Sequence, residues 1–395
     1  MFKKTLAAAA ILAAFGGAAC AADVQIYGRV DLGLVYTHVD QDQGKDATDS
    51  LTMGSGNYTS SRFGLTGSED LGNGWSAKFV LENGFKADSG DLSTSGRIFD
   101  REATLHLVSD KFGTIAFGRV AQLEMDAGSF GVGGAFSPFG TGLGDIGNMN
   151  MLWGANVASR WDNMVTYRTP SFGGFQVTGQ YSFGSNTNTT TADDKTTKYT
   201  HEEGKATTDR YYGLAATYEL GGLNLAAVVD SVNNQSGPTA EVGDNIKDMV
   251  RVVVGGNYDF GFVKPYVAAA YVKNGQLNDF GSGYDSDFLD GLNGYYWDTW
   301  SVSLGATAPL FGGTLQAAVG YMDGSSDTAK KSSANPVDMD ITRWMVGVGY
   351  SYNLSKRTVV YGGAGYMQDK LDQGGDTEET KPNQTEVVFG MAHYF

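Results

Sequence analysis

Seven short turns, most of them carrying Gly and flanked by an aromatic residue, recur along the chain at near-even spacing and divide it into hairpins. They read LGNG at 71–74, DKFG at 110–113, PSFGG at 170–174, ELGG at 219–222, DFG at 259–261, PLFGG at 309–313 and NLSK at 353–356. The connections at the opposite ends of the hairpins are several times longer. Seven hairpins with one further strand at each end make sixteen strands, both termini on the short-turn side. An even count, short turns on one rim and long loops on the other are what a closed antiparallel barrel in an outer membrane requires. Lipid gives backbone N–H and C=O groups no partner, so a sheet there must close on itself.

Side-chain parity supports this reading. From Val24 to Tyr36 the even positions Val24, Ile26, Val30, Leu32, Leu34 and Tyr36 are apolar, against Gln25, Arg29, Asp31 and Thr37. Period two with one greasy and one polar face is the mark of a half-wet strand. It recurs at Trp75–Leu81, Phe175–Phe183, Val250–Val254 and Trp344–Tyr352. A strand of ~10 residues tilted ~45° spans the apolar band of such barrels. Aromatics beside the turns, such as Trp75, Phe112, Tyr167, Phe172, Tyr258, Phe260 and Phe311, are expected to form interfacial girdles. Two strands resist the pattern. Ala103, Leu105 and Leu107 share parity with Arg101, and Ile115 and Phe117 with Arg119. Either these arginines lie near a rim, or the other parity, with Thr104 and His106, faces something less greasy than lipid, such as a subunit interface.

Lys3 and Lys4, the apolar stretch from Leu6 to Phe15 and the small-residue run Ala19-Cys20-Ala21 form a secretory signal at residues 1–21, with the mature barrel at 22–395 beginning at Ala22. An alternative is a lipoprotein acylated at Cys20, disfavoured by Gly17. Cleavage after Ala21 removes the single cysteine and leaves no thiol chemistry. The formal charge of −16 makes nucleic acid a poor partner. Fifty-six glycines with only seven prolines and 42 Tyr plus Phe residues argue against disorder. No run of eighteen apolar residues follows the signal, which excludes transmembrane helices.

The long connections are mostly polar, but the third, residues 121–159, carries Phe130, Val132, Phe136, Phe139, Leu143, Ile146, Met149, Met151, Leu152 and Trp153. So much apolar surface would not remain in water, and the loop is expected to fold into the barrel. The acids Asp40, Asp42, Asp46, Asp49, Asp369, Asp372, Asp376, Glu378 and Glu379 are assigned to outer loops, screened from the lumen.

VQIYGRVDLGL at 24–34, SSRFGLTGSEDLGNGWSAKFVLE at 60–82, FGTIAFGR at 112–119, SRWDNMVTYRTPSFGGF at 159–175, YNLSKRTVVYGGAGY at 352–366 and the ending VVFGMAHYF at 387–395 resemble Gram-negative general porins of the β-proteobacterial and neisserial type. The resemblance implies an all-β, 16-stranded antiparallel transmembrane β-barrel with an inward-folded third loop, assembled as a homotrimer in the outer membrane of a Gram-negative bacterium. It implies a passive diffusion channel for small hydrophilic solutes and ions, with no catalysis and no cofactor. Outer-membrane lipid, including lipopolysaccharide, and the barrel-assembly machinery are the other implied partners, Phe395 being the assembly signal. By position, Arg62, Arg101 and Arg160 match the basic wall of the pore constriction, with Arg29 and Arg119 beside them. SPFG at 137–140 resembles the loop tip, but Pro138 stands where the family often has an acid, and acidic duty passes to Glu124, Asp126 and Asp145. Such an arginine wall would favour anions.

Other motifs carry less. Gly142-x-Gly144-x-x-Gly147 lacks the strand and helix of a dinucleotide site. Asp285, Asp287, Asp290 and Gly291 resemble the start of a calcium loop, but its twelfth position is Tyr296 in place of Glu. The four histidines are widely scattered and no GxSxG elbow is present. The alternatives are a substrate-selective channel, a barrel-anchored enzyme or adhesin, and a soluble secreted β protein.

Overall fold

The computed structural model describes residues 23–395 apart from 43, 45, 141, 142, 144–151, 153–159, 185, 186, 190–198, 202, 205–207, 235–246, 276–295, 327–337 and 373–378. The signal segment with its boundary at Ala22, the residues Ile146, Met149, Met151 and Trp153, and the calcium-like run from Asp285 to Gly291 lie outside the described residues.

The strands are β1 (Gln25–Asp40), β2 (Thr48–Ser55), β3 (Arg62–Gly72), β4 (Trp75–Gly84), β5 (Glu102–Ser109), β6 (Gly113–Ala121), β7 (Arg160–Arg168), β8 (Phe175–Ser182), β9 (Thr187–Thr189), β10 (Tyr199–His201), β11 (Arg210–Leu220), β12 (Leu223–Asn233), β13 (Met249–Tyr258), β14 (Lys264–Gly275), β15 (Trp297–Leu310), β16 (Gly313–Ser326), β17 (Met339–Asn353), β18 (Thr358–Asp372) and β19 (Asn383–Tyr394). Neighbours pair antiparallel throughout, and β1 meets β19 from Arg29↔Tyr394 to Asp40↔Asn383, which closes the ring. The strands β9 and β10 form a separate pair. With β2 and β3 counted as the two halves of one broken strand, the wall has sixteen strands.

All seven expected turns are present between paired strands. At the first, Asn73 and Gly74 have φ of 54° and 77°, the mirror-image turn whose twist matches a hairpin. At Phe311 and Gly312 the values are 47° and 81°, and the Phe311 ring is 89% exposed on the rim. Phe112, Phe172, Phe260 and Phe262 stand out on the same rim, and Tyr271, Trp300 and Trp344 toward the other. Between them the outward positions are apolar and exposed, as at Leu214, Val229, Val254, Val267, Leu304 and Val348. An apolar band bounded by two aromatic belts is the surface a barrel presents to lipid.

The second strand of the wall is broken. The upper part of β1 pairs with β2 and the lower part with β3, so β2 and β3 run down one line with residues 56–61 as an excursion between them. The sequence places the acids from Asp40 to Asp49 on an outer loop; in the fold 48–55 form a strand that includes Asp49. The excursion is pinned by the buried Asp31, whose Oδ2 accepts from the N–H groups of Tyr58 and Thr59, each at 2.7 Å. Tyr361 donates its hydroxyl to the other oxygen of Asp31, and its ring stacks on Tyr58 at 5.1 Å. Backbone N–H donors fixed by one carboxylate hold this bend above Arg62.

The conflicting parity around Arg101 and Arg119 also resolves. Leu105 and Phe117 are exposed on the outside, and Thr104 and His106 are buried on the inside. His106 stacks on Phe130 of the third loop at 5.4 Å, so that face meets the loop within its own barrel. Arg119 escapes the outward parity of Phe117 because the β6–β7 register shifts between Gly118 and Val120, with Gly118 at φ 127°. A bulge re-aims the residue beside it.

Candidate pore constriction

The third loop leaves β6 at Ala121 and packs inside the barrel. Leu123, Phe130, Phe136, Phe139, Leu143 and Leu152 are all buried. Its far part rests on the opposite wall, where Asn257 donates its side-chain amide to the Ala135 carbonyl at 3.1 Å and Gln316 to the Pro138 carbonyl at 2.7 Å. The bed beneath is made of glycines. A Cβ on Gly305 would stand 2.8 Å from Pro138, and one on Gly349 would stand 2.4 Å from Leu143. The segment 137–140 therefore lies where the sequence placed the tip, and the bare wall lets it approach closely. Pro138, standing in for the expected acid, serves packing.

Crowding on that side leaves the open lumen along β1, β3, β4 and β5. A cavity of about 400 Å³ there is lined by Arg29, Arg62, Lys78, Glu82, Glu102 and Asp126, among others. The arginines on and around this side come from different elements. Arg62 opens β3 below the pinned bend; its Nε donates to the Ser60 carbonyl at 3.0 Å, and its Nη1 lies 3.5 Å from Glu82 Oε1. Arg101 precedes β5 and meets the same Glu82 oxygen at 2.8 Å, while Tyr27 donates to the other oxygen at 3.0 Å. Arg29 donates to Thr59 at 2.6 Å and lies over the Tyr394 ring at 5.3 Å. Arg119 and Arg97 both pair with Asp162, at 2.7 and 2.6 Å. Arg160 donates to the Arg101 carbonyl at 3.1 Å. All five arginines expected at the basic wall are thus gathered, and Arg97 joins them from the second loop, where sequence reasoning had no parity to read.

Guanidiniums outnumber carboxylates at both nodes: Arg62 and Arg101 share Glu82, and Arg97 and Arg119 share Asp162. Each trio keeps one unit of positive charge. Its groups touch solvent, with side-chain exposure of 9–12% at the first node and 17–38% at the second.

The three acids do not stay together. Asp126 lines the cavity with Arg29 and Arg62. Burial holds its carboxyl above the usual carboxylate range, against the pull of Arg62 and Arg29. Glu124 corrects the expectation of a lumen acid: it is 2% exposed, turned to the wall and 2.8 Å from Arg251. The chain crosses from β6 into the lumen at 122–124, and backbone that has left the strand has no period to carry a side chain inward or outward. Asp145 lies outside the described residues. A second correction concerns Asp369, which belongs to the wall strand β18 near its outer end, fully buried and doubly bonded to Arg343 at 2.6 and 2.7 Å. Among the described residues no group of three or more His, Cys, Asp or Glu is placed to hold a metal ion.

Phe395 closes the last strand onto the first. Its N–H donates to the Gly28 carbonyl at 3.0 Å and its carbonyl accepts from Gly28 at 3.1 Å. A Cβ on Gly28 would fall on the Phe395 ring, so the glycine makes room for the terminal aromatic.

Known proteins with this architecture are concordant. A family model described as Gram-negative porin matches residues 7–372. An outer membrane porin protein of Bordetella pertussis is 35% identical over the full length of both chains, and outer membrane porin protein 32 of Delftia acidovorans is 29% identical over the same extent. Among solved structures, the anion-selective porin from Comamonas acidovorans superposes with a TM-score of 0.65 at 25% identity, covering 95% of this chain and 100% of that one. The trimer form of OmpT from Vibrio cholerae shares the fold, with a TM-score of 0.58 at 19% identity over 94% of this chain and 99% of that one.

Proposed function

The chain belongs to the Gram-negative porin family and is a diffusion channel of the outer membrane, and from that premise we propose that it sieves small hydrophilic solutes at the third loop and favours anions among them. The carrying observation is the two-to-one sharing of carboxylates by guanidiniums beside water. A unit charge ~7 Å from an ion path contributes about 0.6 kcal/mol at the dielectric of water, about threefold in local anion concentration. Arg29, Arg62, Arg101, Arg119 and Arg160 form the positive wall of the constriction, and Asp126 faces Arg29 and Arg62 from the loop. The two signs across a narrow lumen set up a transverse field that orients dipolar solutes. The anion-selective porin from Comamonas acidovorans, alike over nearly the whole chain, supports the same sign.

The test is the reversal potential in planar bilayers under a KCl gradient. Cl⁻ should permeate ahead of K⁺; a cation-preferring reversal potential would remove the filtering mechanism and leave the channel. The channel transports without catalysis and without a cofactor. Three further elements belong to this reading. Residues 1–21 are removed in export, checked by the N-terminus of the purified protein. The barrel is a homotrimer, as the trimer form of OmpT suggests, checked by migration before and after heating. Phe395 serves recognition by the assembly machinery, with lipopolysaccharide around the finished barrel, checked by the yield of folded protein after Phe395→Ala.

A further inference from the structure

The root of the third loop is buried against four strands, β8, β11, β12 and β13. Gln122 and Leu123 have no exposure, and Glu124 has 2%. Gln180 of β8 donates to the Ala121 carbonyl at 3.1 Å, and the Leu123 N–H donates to the Tyr211 hydroxyl at 3.4 Å. Tyr211 in turn donates to Asp230 Oδ2 at 3.1 Å. Arg251 binds Asp230 through Nε at 3.0 Å and Nη2 at 2.6 Å, and the same Nη2 lies 2.8 Å from Glu124 Oε1. The titratable groups facing Glu124 are therefore Tyr211 from β11, Asp230 from β12 and Arg251 from β13.

Two carboxylates meet one guanidinium in a site where no side chain of the three exceeds 3% exposure. A dry site does not tolerate the odd negative charge, and a proton removes it most simply. Glu124 Oε2 is buried without a hydrogen-bond partner, which suits a protonated oxygen beside Asp230. We propose that Glu124, Asp230 and Arg251 form a proton-operated latch that positions the root of the constriction loop and so sets the width of the pore. Glu124 is a positioning residue: it acts on solutes through the loop, not by touching them. The inference rests on the reading of this loop as the constriction.

Burial and the Asp230 charge push the Glu124 carboxyl up to about 8, against the pull of Arg251. Such a group stabilises the latched loop fully where both the latched and the released carboxyl are protonated, and that stabilisation is lost as pH rises from the ordinary carboxylate range through the raised value. The latch is thus tightest in acid, weakens through neutrality and loses nothing further above the raised value.

Single-channel conductance of the purified full-length protein, recorded from pH 6 to pH 10, tests this. For the wild type, the ratio of narrow to wide openings should fall by up to about tenfold per pH unit as pH rises toward the raised Glu124 value and level off above it, the signature of one proton. Glu124→Gln, neutral at every pH, should keep the narrow level throughout. Asp230→Asn, which leaves Glu124 alone with Arg251, should move the point of levelling down by a unit or more. A flat wild-type profile, or Glu124→Gln titrating like the wild type, overturns the latch while conductance persists. Absence of stepwise conductance at any pH overturns the channel reading beneath it. Heat-modifiable migration identifies folded barrels, and Glu124→Gln alone decides the matter if Asp230→Asn does not fold.

Discussion

Two acid and arginine clusters in this barrel have opposite stoichiometry. Beside the lumen, Arg62 and Arg101 share the single carboxylate of Glu82; at the loop root, Glu124 and Asp230 share the single guanidinium of Arg251. The first cluster keeps a surplus positive charge, the second a surplus negative one. Solvent contact decides what each surplus becomes. Near water, mobile anions screen the positive charge, and attracting them is the service a channel can draw from it. In the dry wall no mobile ion enters, so neutralisation falls to a proton. On the proposed reading, unbalanced charge is a filter in one place and a fastening in the other.

The hardest blow to this contrast is Arg251→Met. It leaves two carboxylates facing each other in a site of nearly zero exposure. Removing one partner of a buried pair costs ~3–5 kcal/mol, so the temperature at which the folded band converts to the unfolded one on a denaturing gel should drop clearly, and the open channel should become noisy. Arg62→Ala, which leaves Glu82 held by Arg101 and Tyr27, should lower that temperature much less. Equal losses in the two variants would erase the distinction between wet and dry.

Selectivity should respond in the reverse order. Arg62→Ala combined with Arg160→Ala should lower the Cl⁻/K⁺ permeability ratio by about tenfold or more, since each charge ~7 Å from the ion path acts by ~0.6 kcal/mol on Cl⁻ and by as much in the opposite sense on K⁺. Reversal potentials in asymmetric KCl measure this directly. An unchanged ratio would show that the positive surplus does not reach the permeating ion. Smaller still is Gln316→Leu, which removes one anchor of the loop tip on Pro138. One hydrogen bond is worth ~1 kcal/mol, about a fivefold increase in the fraction of wide openings with selectivity kept.

Much of the barrel was legible because turns and parity are local. Asn73 and Gly74 announce their turn by the φ values they allow, and alternation such as Val250, Val252 and Val254 against Arg251 needs only neighbouring residues. Legibility failed where period two is interrupted. The bulge at Gly118 moves Arg119 to the inside, and no residue before it signals the change. The strand β2 was read as loop, although Leu51 and Met53 were a usable hint of alternation. Glu124 and Asp126 are two residues apart in the same loop, yet one is latched to the wall and the other lines the lumen. Arg251 was noticed only as the polar half of a strand, whereas its value depends on Asp230 and Glu124, which the topology alone brings to it.

Asp126 offers the finest probe of the wet cluster, because it is the negative member facing Arg29 and Arg62 across the cavity. Its carboxyl lies above the usual range through burial, so it takes up a proton at a higher pH than an ordinary aspartate. As pH falls through that window the cavity loses one negative charge and keeps its guanidiniums. Anion preference should therefore rise on acidification, by about eightfold at most for one charge ~7 Å from the path, which acts on anion and cation in opposite senses. Asp126→Asn should show the raised preference already at neutral pH and respond little to acid. Glu124 acts on the loop and not on the ion path, so its titration should appear in conductance and leave this preference unchanged. A selectivity change abolished by Asp126→Asn, and a conductance change abolished by Glu124→Gln, would assign one titration to each cluster; a single substitution that abolished both would show that the two surpluses are not independent.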